Sequence, residues 1–415
     1  MTASLFSTLF VAALLLSTII KIWLAQRQLR HVSANRNKVP DVFSSQVDLA
    51  AHQKAADYTC VKTRLSIITA LFEAALLLLL TLGGGLQFLA DWSLGTFSNP
   101  MTQGMAIIVA VILLTSILET PFSLYSTFVI EARFGFNKMT FKLYLLDAAK
   151  GLLIGCILGL PLLFGVLWLM ERMGDSWWLY VWAVWVSFSL LLLFIYPSFI
   201  APLFNKFKPL DDITLKTRIE ALLKRCGFTA QGLFVMDGSK RSSHGNAYFT
   251  GFGKTKRIVF FDTLITRLNP NEIDAVLAHE LGHFKRQHVI KRIVLTFSVS
   301  LGFLWLLAQL IHADWFYAGL GVNVKSNTAM ALLLFFMVLP AFTFLLQPIS
   351  SAYSRKHEFE AYAYAAQQTA SADLVTALVK LYQDNAATLT PDPLYSTFYS
   401  SHPPAMIRIS RLQTL

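Results

Sequence analysis

The sequence predicts a mainly α-helical protein that crosses a membrane seven times and carries a small α+β domain on one side of it. Three observations lead to this prediction. Of the 415 residues, 55% are hydrophobic and 14% are charged, whereas soluble domains carry about 25% charged residues. Long apolar stretches recur along the chain, and the polar segment between them has the periodicities of helices and strands.

Seven stretches reach the roughly 20 apolar residues that a helix needs to cross a bilayer. The first has no Lys or Arg before it and no clear cleavage site after it, so it is predicted to be a retained span and not a signal peptide. Glu73 and Glu119 fall inside spans, where they either pair within the bundle near span ends or line an aqueous interior. The predicted spans lie near residues 4–25, 65–90, 103–127, 151–171, 178–203, 291–312 and 328–350.

Lys and Arg predict the orientation, because they are enriched in cytosolic loops. The segments 26–64 and 128–150 are rich in both residues, whereas 91–102 and 313–327 carry almost none. The N-terminus is therefore predicted outside and the C-terminus in the cytosol. The predicted regions are five spans with their loops (1–203), a cytosolic polar domain (204–290), two further spans (291–350) and a cytosolic C-terminal segment (351–415).

The net charge of +11 is compatible with a nucleic-acid partner, but the basic residues cluster beside apolar spans, where membrane orientation and anionic lipids account for them. Nucleic acid is therefore not expected as a partner. The three cysteines, Cys60, Cys156 and Cys226, are far apart and form no CxxC pair. They indicate neither a disulfide framework nor a thiolate metal site.

The polar domain is predicted to begin with an amphipathic helix over 211–227 and to continue with strands over 233–236, 247–250 and 258–261. Residues 251–256, which read GFGKTK, are predicted to connect the last two strands as a hairpin. A sheet edge at this place either holds an extended peptide by strand addition or is plain structural support.

The segment 277–284, which reads LAHELGHF, contains the candidate metal ligands and the candidate general base. His279 and His283 stand four residues apart, so they share one helix face and can converge on one metal ion, with Glu280 one step round to reach water beside it. Asn269 is predicted to cap this helix, with a capping box to Glu272. The alternative is a helix with two surface histidines. The pattern predicts a zincin site.

A catalytic zinc needs three protein ligands and one open position, so a third donor must come from elsewhere in the chain. The best candidate region is 354–362, after the last span, which reads SRKHEFEAY. By spacing alone, His357, Glu358 and Glu360 are all able to provide that donor.

Seven stretches resemble the CaaX prenyl protease 1 family of integral-membrane zinc metallopeptidases, in order along nearly the whole chain. The resemblance implies seven tilted helices that enclose a large chamber, with the peptidase domain on its cytosolic side. It also implies Glu358 as the third zinc ligand, the first residue of the family's E-x-x-A-D pattern. The similar stretches are 39–40 with 52–55, 128–140, 201–210, 246–264, 279–283 (HELGH), 354–361 and 402–409.

The chain departs from that pattern at Tyr362, which stands where the family has Asp. A carboxylate there, one helical turn after Glu358, is expected to accept the N–H of a metal-bound imidazole. Tyrosine cannot supply that charge, and loss of such a partner costs about 10–100-fold in metal affinity or activity. The expectation is either a weakened site or a phenol that hydrogen-bonds in the carboxylate's place.

Further site residues complete the expected site, and the two in the C-terminal segment are similar to family positions near the active site. His402 is the candidate for stabilising the oxyanion and Arg408 for holding the site by ion pairing, the alternative being a capped and salt-bridged C-terminal segment. Asn246 and Ala247 are expected to present the edge strand to the substrate. Glu280 is the expected general base, with one zinc ion per chain as the cofactor.

The expected function is a membrane-embedded zinc metalloendopeptidase at the cytosolic face, for C-terminal CaaX-type processing, membrane-protein quality control, or both. The expected partners are the bilayer and a peptide or protein substrate, lipidated or membrane-inserted, with no obligate protein partner. A bacterial inner membrane is favoured, and the endoplasmic reticulum if the source is eukaryotic. The alternatives are a zinc-binding scaffold with weak or no proteolysis, because of Tyr362, and a seven-span transporter.

Overall fold

The computed structural model describes residues 1–229, 232–250, 257–323 and 327–415. The predicted hairpin connection at 251–256 lies outside these described residues. Four strands are β1 (Phe207–Pro209), β2 (Gly232–Met236), β3 (Ala247–Thr250) and β4 (Arg257–Phe261). The helices are α1 (Ala3–Asn35), α2 (Leu49–Leu80), α3 (Gly85–Thr96), α4 (Pro100–Leu124), α5 (Phe141–Arg172), α6 (Trp177–Ile195), α7 (Ala201–Phe204), α8 (Ile213–Arg225), α9 (Asp262–Ile265), α10 (Pro270–Lys285), α11 (His288–Leu310), α12 (Asp314–Ala318), α13 (Thr328–Thr343), α14 (Gln347–Gln368), α15 (Ser371–Asp384), α16 (Pro393–Tyr399) and α17 (Ala405–Gln413).

The described residues contain seven helical segments long and apolar enough to cross a membrane, which confirms the predicted number. The second span is a correction, because it was predicted over 65–90 but its helix α2 ends at Leu80 and a separate helix, α3, follows. Gly84 between them has φ +80°, a left-handed conformation that favours glycine. A Cβ on Gly83 would lie 2.6 Å from the carbonyl oxygen of Leu79, so the glycines end the helix there.

The spans differ in how far the protein covers them. Only 6% of the apolar window of the span built on α5 is buried, and the same holds for the span built on α6. In the last span, Thr328–Gln368, half of the window is buried, with Ala331 and Leu334 fully enclosed. The seventh span is therefore the central helix of the bundle. Glu73 in α2 and Glu119 in α4 are exposed, so neither is buried between helices.

Two membrane helices continue directly into the polar part of the molecule. A short turn at Phe344–Leu346 joins α13 to α14, so the predicted boundary at 350/351 falls inside α14. Gln287, in the left-handed region with φ 56°, separates α10 from α11, and the boundary at 290/291 falls inside α11. The sixth span thus begins directly after α10, and α14 begins directly after α13.

The sheet has the strand order β1-β2-β4-β3, with β2 and β4 parallel and the outer pairs antiparallel. The three predicted strands are confirmed, whereas β1 was not predicted. The predicted amphipathic helix is α8, whose side chains at Leu215, Ile219 and Leu222 pack in one core with the sheet residues Ile258 and Phe260. Strand β3 is left at one edge of the sheet.

Ion pairs tie the polar part of the chain to the membrane helices. Arg241 donates two hydrogen bonds to Asp147 of α5, at 2.8 and 3.0 Å, and another to the carbonyl oxygen of Phe204. Arg27 of α1 pairs at 3.0 Å with Asp392, whose carboxylate also caps α16. Because several bonds fix each pair, the segment before β3 and the C-terminal segment are held against the bundle.

Candidate active site

Helix α10 begins where the sequence predicts. The Asn269 side chain accepts a hydrogen bond from the backbone N–H of Glu272 at 3.0 Å, and the Glu272 carboxylate accepts from the N–H of Asn269 at 2.8 Å. This confirms the capping box, which satisfies backbone donors at the helix start. Ile273 and Leu277 on the opposite face are buried in the core with the sheet, so the histidines stand on a rigid helix.

A glycine lets α10 and α14 come close together. Gly282 lies between the two motif positions, and a Cβ there would sit 2.9 Å from the Cα of Ala361 and 3.1 Å from its carbonyl oxygen. Any larger residue would push the two helices apart. The close approach sets His279 and His283 of one helix opposite Glu358 of the other.

Three side chains form a compact triangle. Nε2 of His279 lies 3.3 Å from Nε2 of His283. The carboxylate of Glu358 spans both nitrogens, with its Oε2 atom 3.4 Å from Nε2 of His279 and its Oε1 atom 3.4 Å from Nε2 of His283. Glu358 is 4% exposed, and its Oε2 atom has no hydrogen-bond partner among the described residues. Within those residues, this is the group of His and carboxylate side chains placed to hold a metal ion.

The triangle has the size that a tetrahedral metal ion requires. Ligands bound to zinc at about 2.0–2.1 Å in tetrahedral geometry lie roughly 3.3 Å from one another. The distances between the three side chains, 3.3, 3.4 and 3.4 Å, are close to this value, with the last two ending on different oxygens of Glu358. Burial lowers the pKa of His279, which favours the neutral imidazole that binds a metal. The residues therefore fit a metal, with one tetrahedral position left open.

The other two residues that spacing allowed as the third donor, His357 and Glu360, point away from the motif histidines. The His357 ring stacks on His288, with the ring centroids 4.0 Å apart and the planes within 8°. Glu360 accepts a hydrogen bond from Nε2 of His288 at 3.0 Å. Of the three candidates, Glu358 is the one whose carboxylate faces both motif histidines.

A cavity of about 370 Å³ opens beside the triangle and contains the other predicted site residues. Glu280 lines it, and burial raises the pKa of this carboxylate to about 7, with the nearby Glu358 reinforcing the shift and His283 opposing it. Asn246 and Ala247, at the start of the edge strand β3, form the facing wall. The arrangement can hold a peptide bond between a metal and a base tuned near neutrality.

His402 and Arg408 reach the same cavity from the C-terminal segment. Nε2 of His402 lies 3.3 Å from Oε1 of Glu358, with the imidazole 56% exposed. The Arg408 guanidinium is 10% exposed, lies 4.0 Å from Oε2 of Glu358 and covers the ring of Tyr362 at 5.5 Å. The structure thus brings both residues to the triangle, with Arg408 buried against it and His402 open to the cavity.

Tyr362 does not take the place of the expected carboxylate. Its ring lies over the His279 ring, with centroids 4.5 Å apart and planes 28° from parallel, and its side chain is 1% exposed. The buried Nδ1 atom of His279 has no hydrogen-bond partner among the described residues. Tyr362 therefore packs against the imidazole without fixing its tautomer.

His288 was not predicted from the sequence. Its Nδ1 atom lies 3.0 Å from Nδ1 of His283, and its side chain is 1% exposed. Five residues separate the two histidines, a spacing that does not share a helix face. The contact arises because Gln287 turns the chain between α10 and α11, so periodicity gave no signal.

Comparison with known families agrees with this geometry. A family model described as "CAAX prenyl protease N-terminal, five membrane helices" matches residues 28–206. The model of "Peptidase family M48" matches residues 209–415. The two matches together cover nearly the whole chain, and the second contains the triangle and the cavity beside it.

Individual relatives align over most of their length. The chain is 34% identical to the probable CAAX prenyl protease 1 of Schizosaccharomyces pombe over 410 residues, which covers 95% of this chain and 85% of that protein. It is 33% identical to the human CAAX prenyl protease 1 homolog, with 98% and 96% covered. The crystal structure of S. mikatae Ste24p matches with a TM-score of 0.92 at 31% identity, covering 98% of this chain and 99% of that one. These similarities show that the chain belongs to the CAAX prenyl protease 1 family, the integral-membrane metallopeptidases of family M48.

Proposed function

We propose that this protein is a zinc metalloendopeptidase that hydrolyses peptide bonds at the cytosolic face of the membrane, with one zinc ion held by His279, His283 and Glu358. The observation that carries the proposal is the triangle of three side chains whose nearest donor atoms lie 3.3–3.4 Å apart, beside a cavity lined by Glu280. The test is hydrolysis of an internally quenched peptide by the purified protein. Absence of cleavage by protein that holds one zinc per chain would contradict the proposal.

When bound, a zinc ion supplies Lewis acidity that activates water and polarises the scissile carbonyl. Glu280 takes the proton of the attacking water and passes it to the leaving amine, a role for which a pKa of about 7 suits it. His402, open to the cavity, donates a hydrogen bond to the developing oxyanion. Arg408 holds the Glu358 carboxylate and the Tyr362 ring in place.

The edge strand β3 aligns the substrate. A peptide that adds to β3 in the antiparallel sense places the residues after the scissile bond toward Asn246 and Gly245. A second cavity of about 860 Å³ begins there and shares Gly245, Asn246, Asn385 and Ala387 with the first. This space receives the C-terminal residues that the cleavage releases.

The proposed substrates are C-terminal CaaX-type peptides, as the names of the relatives indicate for those proteins. Turnover of hydrophobic or membrane-inserted proteins is the second proposed use of the same site. The numbers of Lys and Arg in the loops support an N-terminus outside and a C-terminus in the cytosol. The location of the protein in the bacterial inner membrane, or in the endoplasmic reticulum of a eukaryote, stays a prediction.

The alternative function is a zinc-binding membrane scaffold with weak or no proteolysis. The buried Nδ1 atom of His279, which has no partner among the described residues, favours it, because an unfixed imidazole binds metal less well. The carboxylate expected beside this imidazole is replaced by Tyr362, whose ring is stacked on the same imidazole.

We expect Tyr362→Asp to raise the rate of hydrolysis per folded molecule by about 10-fold, since it restores a carboxylate beside His279. The same change removes a ring that is 1% exposed, which costs about 3–5 kcal/mol of stability. The midpoint of thermal unfolding should therefore fall while the rate rises. Tyr362→Phe, which keeps the stacked ring, is the matched control, and an unchanged rate in the Asp variant would contradict the argument.

A further inference from the structure

A chain of hydrogen bonds runs from the second motif histidine away from the metal triangle. Nδ1 of His283 lies 3.0 Å from Nδ1 of His288, and Nε2 of His288 lies 3.0 Å from a carboxylate oxygen of Glu360. His288 is 1% exposed, so its ring makes both contacts away from bulk solvent, although Glu360 at the end of the chain is partly exposed. The chain joins three helices, because His283, His288 and Glu360 belong to α10, α11 and α14.

The geometry admits one direction for the protons. For Nε2 of His283 to bind a metal, its proton must sit on Nδ1, which then donates to Nδ1 of His288. The remaining proton of His288 is on Nε2, where it donates to the Glu360 carboxylate. The other tautomer of His288 would set two N–H groups against each other and aim a lone pair at a carboxylate. Every N–H donor in this chain of hydrogen bonds thus meets an acceptor.

Two further features hold His288 in this position. Its ring lies flat on the ring of His357, at 4.0 Å between centroids and 8° between planes, and Tyr353 packs edge-on against His357 at 4.3 Å. Gln287, with φ 56°, turns the chain so that the first residue of α11 folds back toward α10. The site therefore fixes His288 through packing and backbone as well as through hydrogen bonds.

The two motif histidines differ in this respect. His279 carries the stacked Tyr362 and has no partner at Nδ1 among the described residues, whereas His283 is anchored through two further side chains. Ligand imidazoles need such an anchor, because it sets the tautomer, fixes the ring and raises the basicity of the binding nitrogen.

We propose that His288 and Glu360 are positioning residues that orient His283 toward the metal and so supply, on this histidine, the support that His279 lacks. The proposal rests on the zinc site of the proposed function but not on proteolysis. It predicts that zinc affinity depends on two residues that do not touch the metal.

The experiment uses the full-length protein purified in detergent. Zinc affinity is measured by competition with a chromogenic chelator, and the metal geometry is followed by the visible absorption of the cobalt-substituted protein. We expect His288→Phe, which fills the space without an acceptor, to weaken zinc binding about 10–100-fold and to shift the cobalt absorption bands. Glu360→Gln should weaken binding in the same direction by a smaller factor. Its side chain is 32% exposed, so this variant is expected to fold even where His288→Phe does not.

The matched control is His357→Phe, which keeps the ring stacked on His288 and leaves the chain of hydrogen bonds intact. It should change zinc affinity less than about 3-fold and leave the cobalt spectrum as in the parent protein, since the affected contact is only packing. If Glu360→Gln and a folded His288→Phe both bind zinc as tightly as the parent, the proposal is overturned. Failure of the parent to cleave peptides while it binds zinc would instead contradict the proposed function and leave this proposal standing.

Discussion

Glu280→Gln is expected to abolish peptide hydrolysis and to leave the metal in place. Glu280 lines the cavity beside the donor triangle but is not one of the three residues that form it. Glutamine has nearly the same shape but cannot take a proton from water or return it to the leaving amine. Loss of a general acid–base residue lowers kcat by about 10²–10⁴-fold, so hydrolysis of a quenched peptide should fall to background.

The variant protein must be shown to hold zinc, for which metal analysis should give one ion per chain, as in the parent. Glu220→Gln is the matched control, since Glu220 is exposed on α8 away from the cavity. Its activity should equal that of the parent. A Glu280→Gln protein that retained more than about a tenth of the parental kcat would rule out Glu280 as the general base.

Glu358→Ala is expected to remove the metal as well as the activity. The carboxylate of Glu358 is the one donor on α14 that faces both imidazoles, and it is 4% exposed. Without it, two imidazoles are left with the cation Arg408 close by, an environment that disfavours a divalent ion. Zinc content should fall from one per chain to near zero, and hydrolysis should disappear with it.

Thermal unfolding provides a second measurement. A ligand that binds only the folded state stabilises it, by about 2.7 kcal/mol at a concentration 100 times the dissociation constant. Added zinc should therefore raise the unfolding midpoint of the chelator-treated parent and leave that of Glu358→Ala unchanged. Glu220→Ala is the control that should behave like the parent. Retention of zinc by Glu358→Ala would show that another side chain is the third ligand.

Local interactions made one half of the site predictable. The capping box at Asn269 and Glu272 and the spacing of His279 and His283 depend on residues within about one helical turn of each other. Such contacts form in any helix, so α10 and the shared face of its histidines could be derived from the sequence. The strands followed from alternating patterns of the same short range, although the short β1 gave no signal.

The third donor was not predictable from spacing. His357, Glu358 and Glu360 are neighbours on one helix, and only the rotation of α14 against α10 decides which of them meets the histidines. The contact between the two helices also needs Gly282, whose missing side chain allows the backbone of Ala361 to approach. The family resemblance supplied Glu358, and the structure gives the packing that places its carboxylate.

By itself, the sequence determined the class of the protein, the seven spans, the helix that carries HELGH and the residue types able to hold a metal, because these depend on composition and on short periodic spacing. The tertiary structure alone decided that α13 runs on into α14, that Tyr362 lies flat on His279 and that His288 contacts His283. These features depend on how separate helices pack and turn, and contacts between residues far apart in the chain leave no local pattern to read.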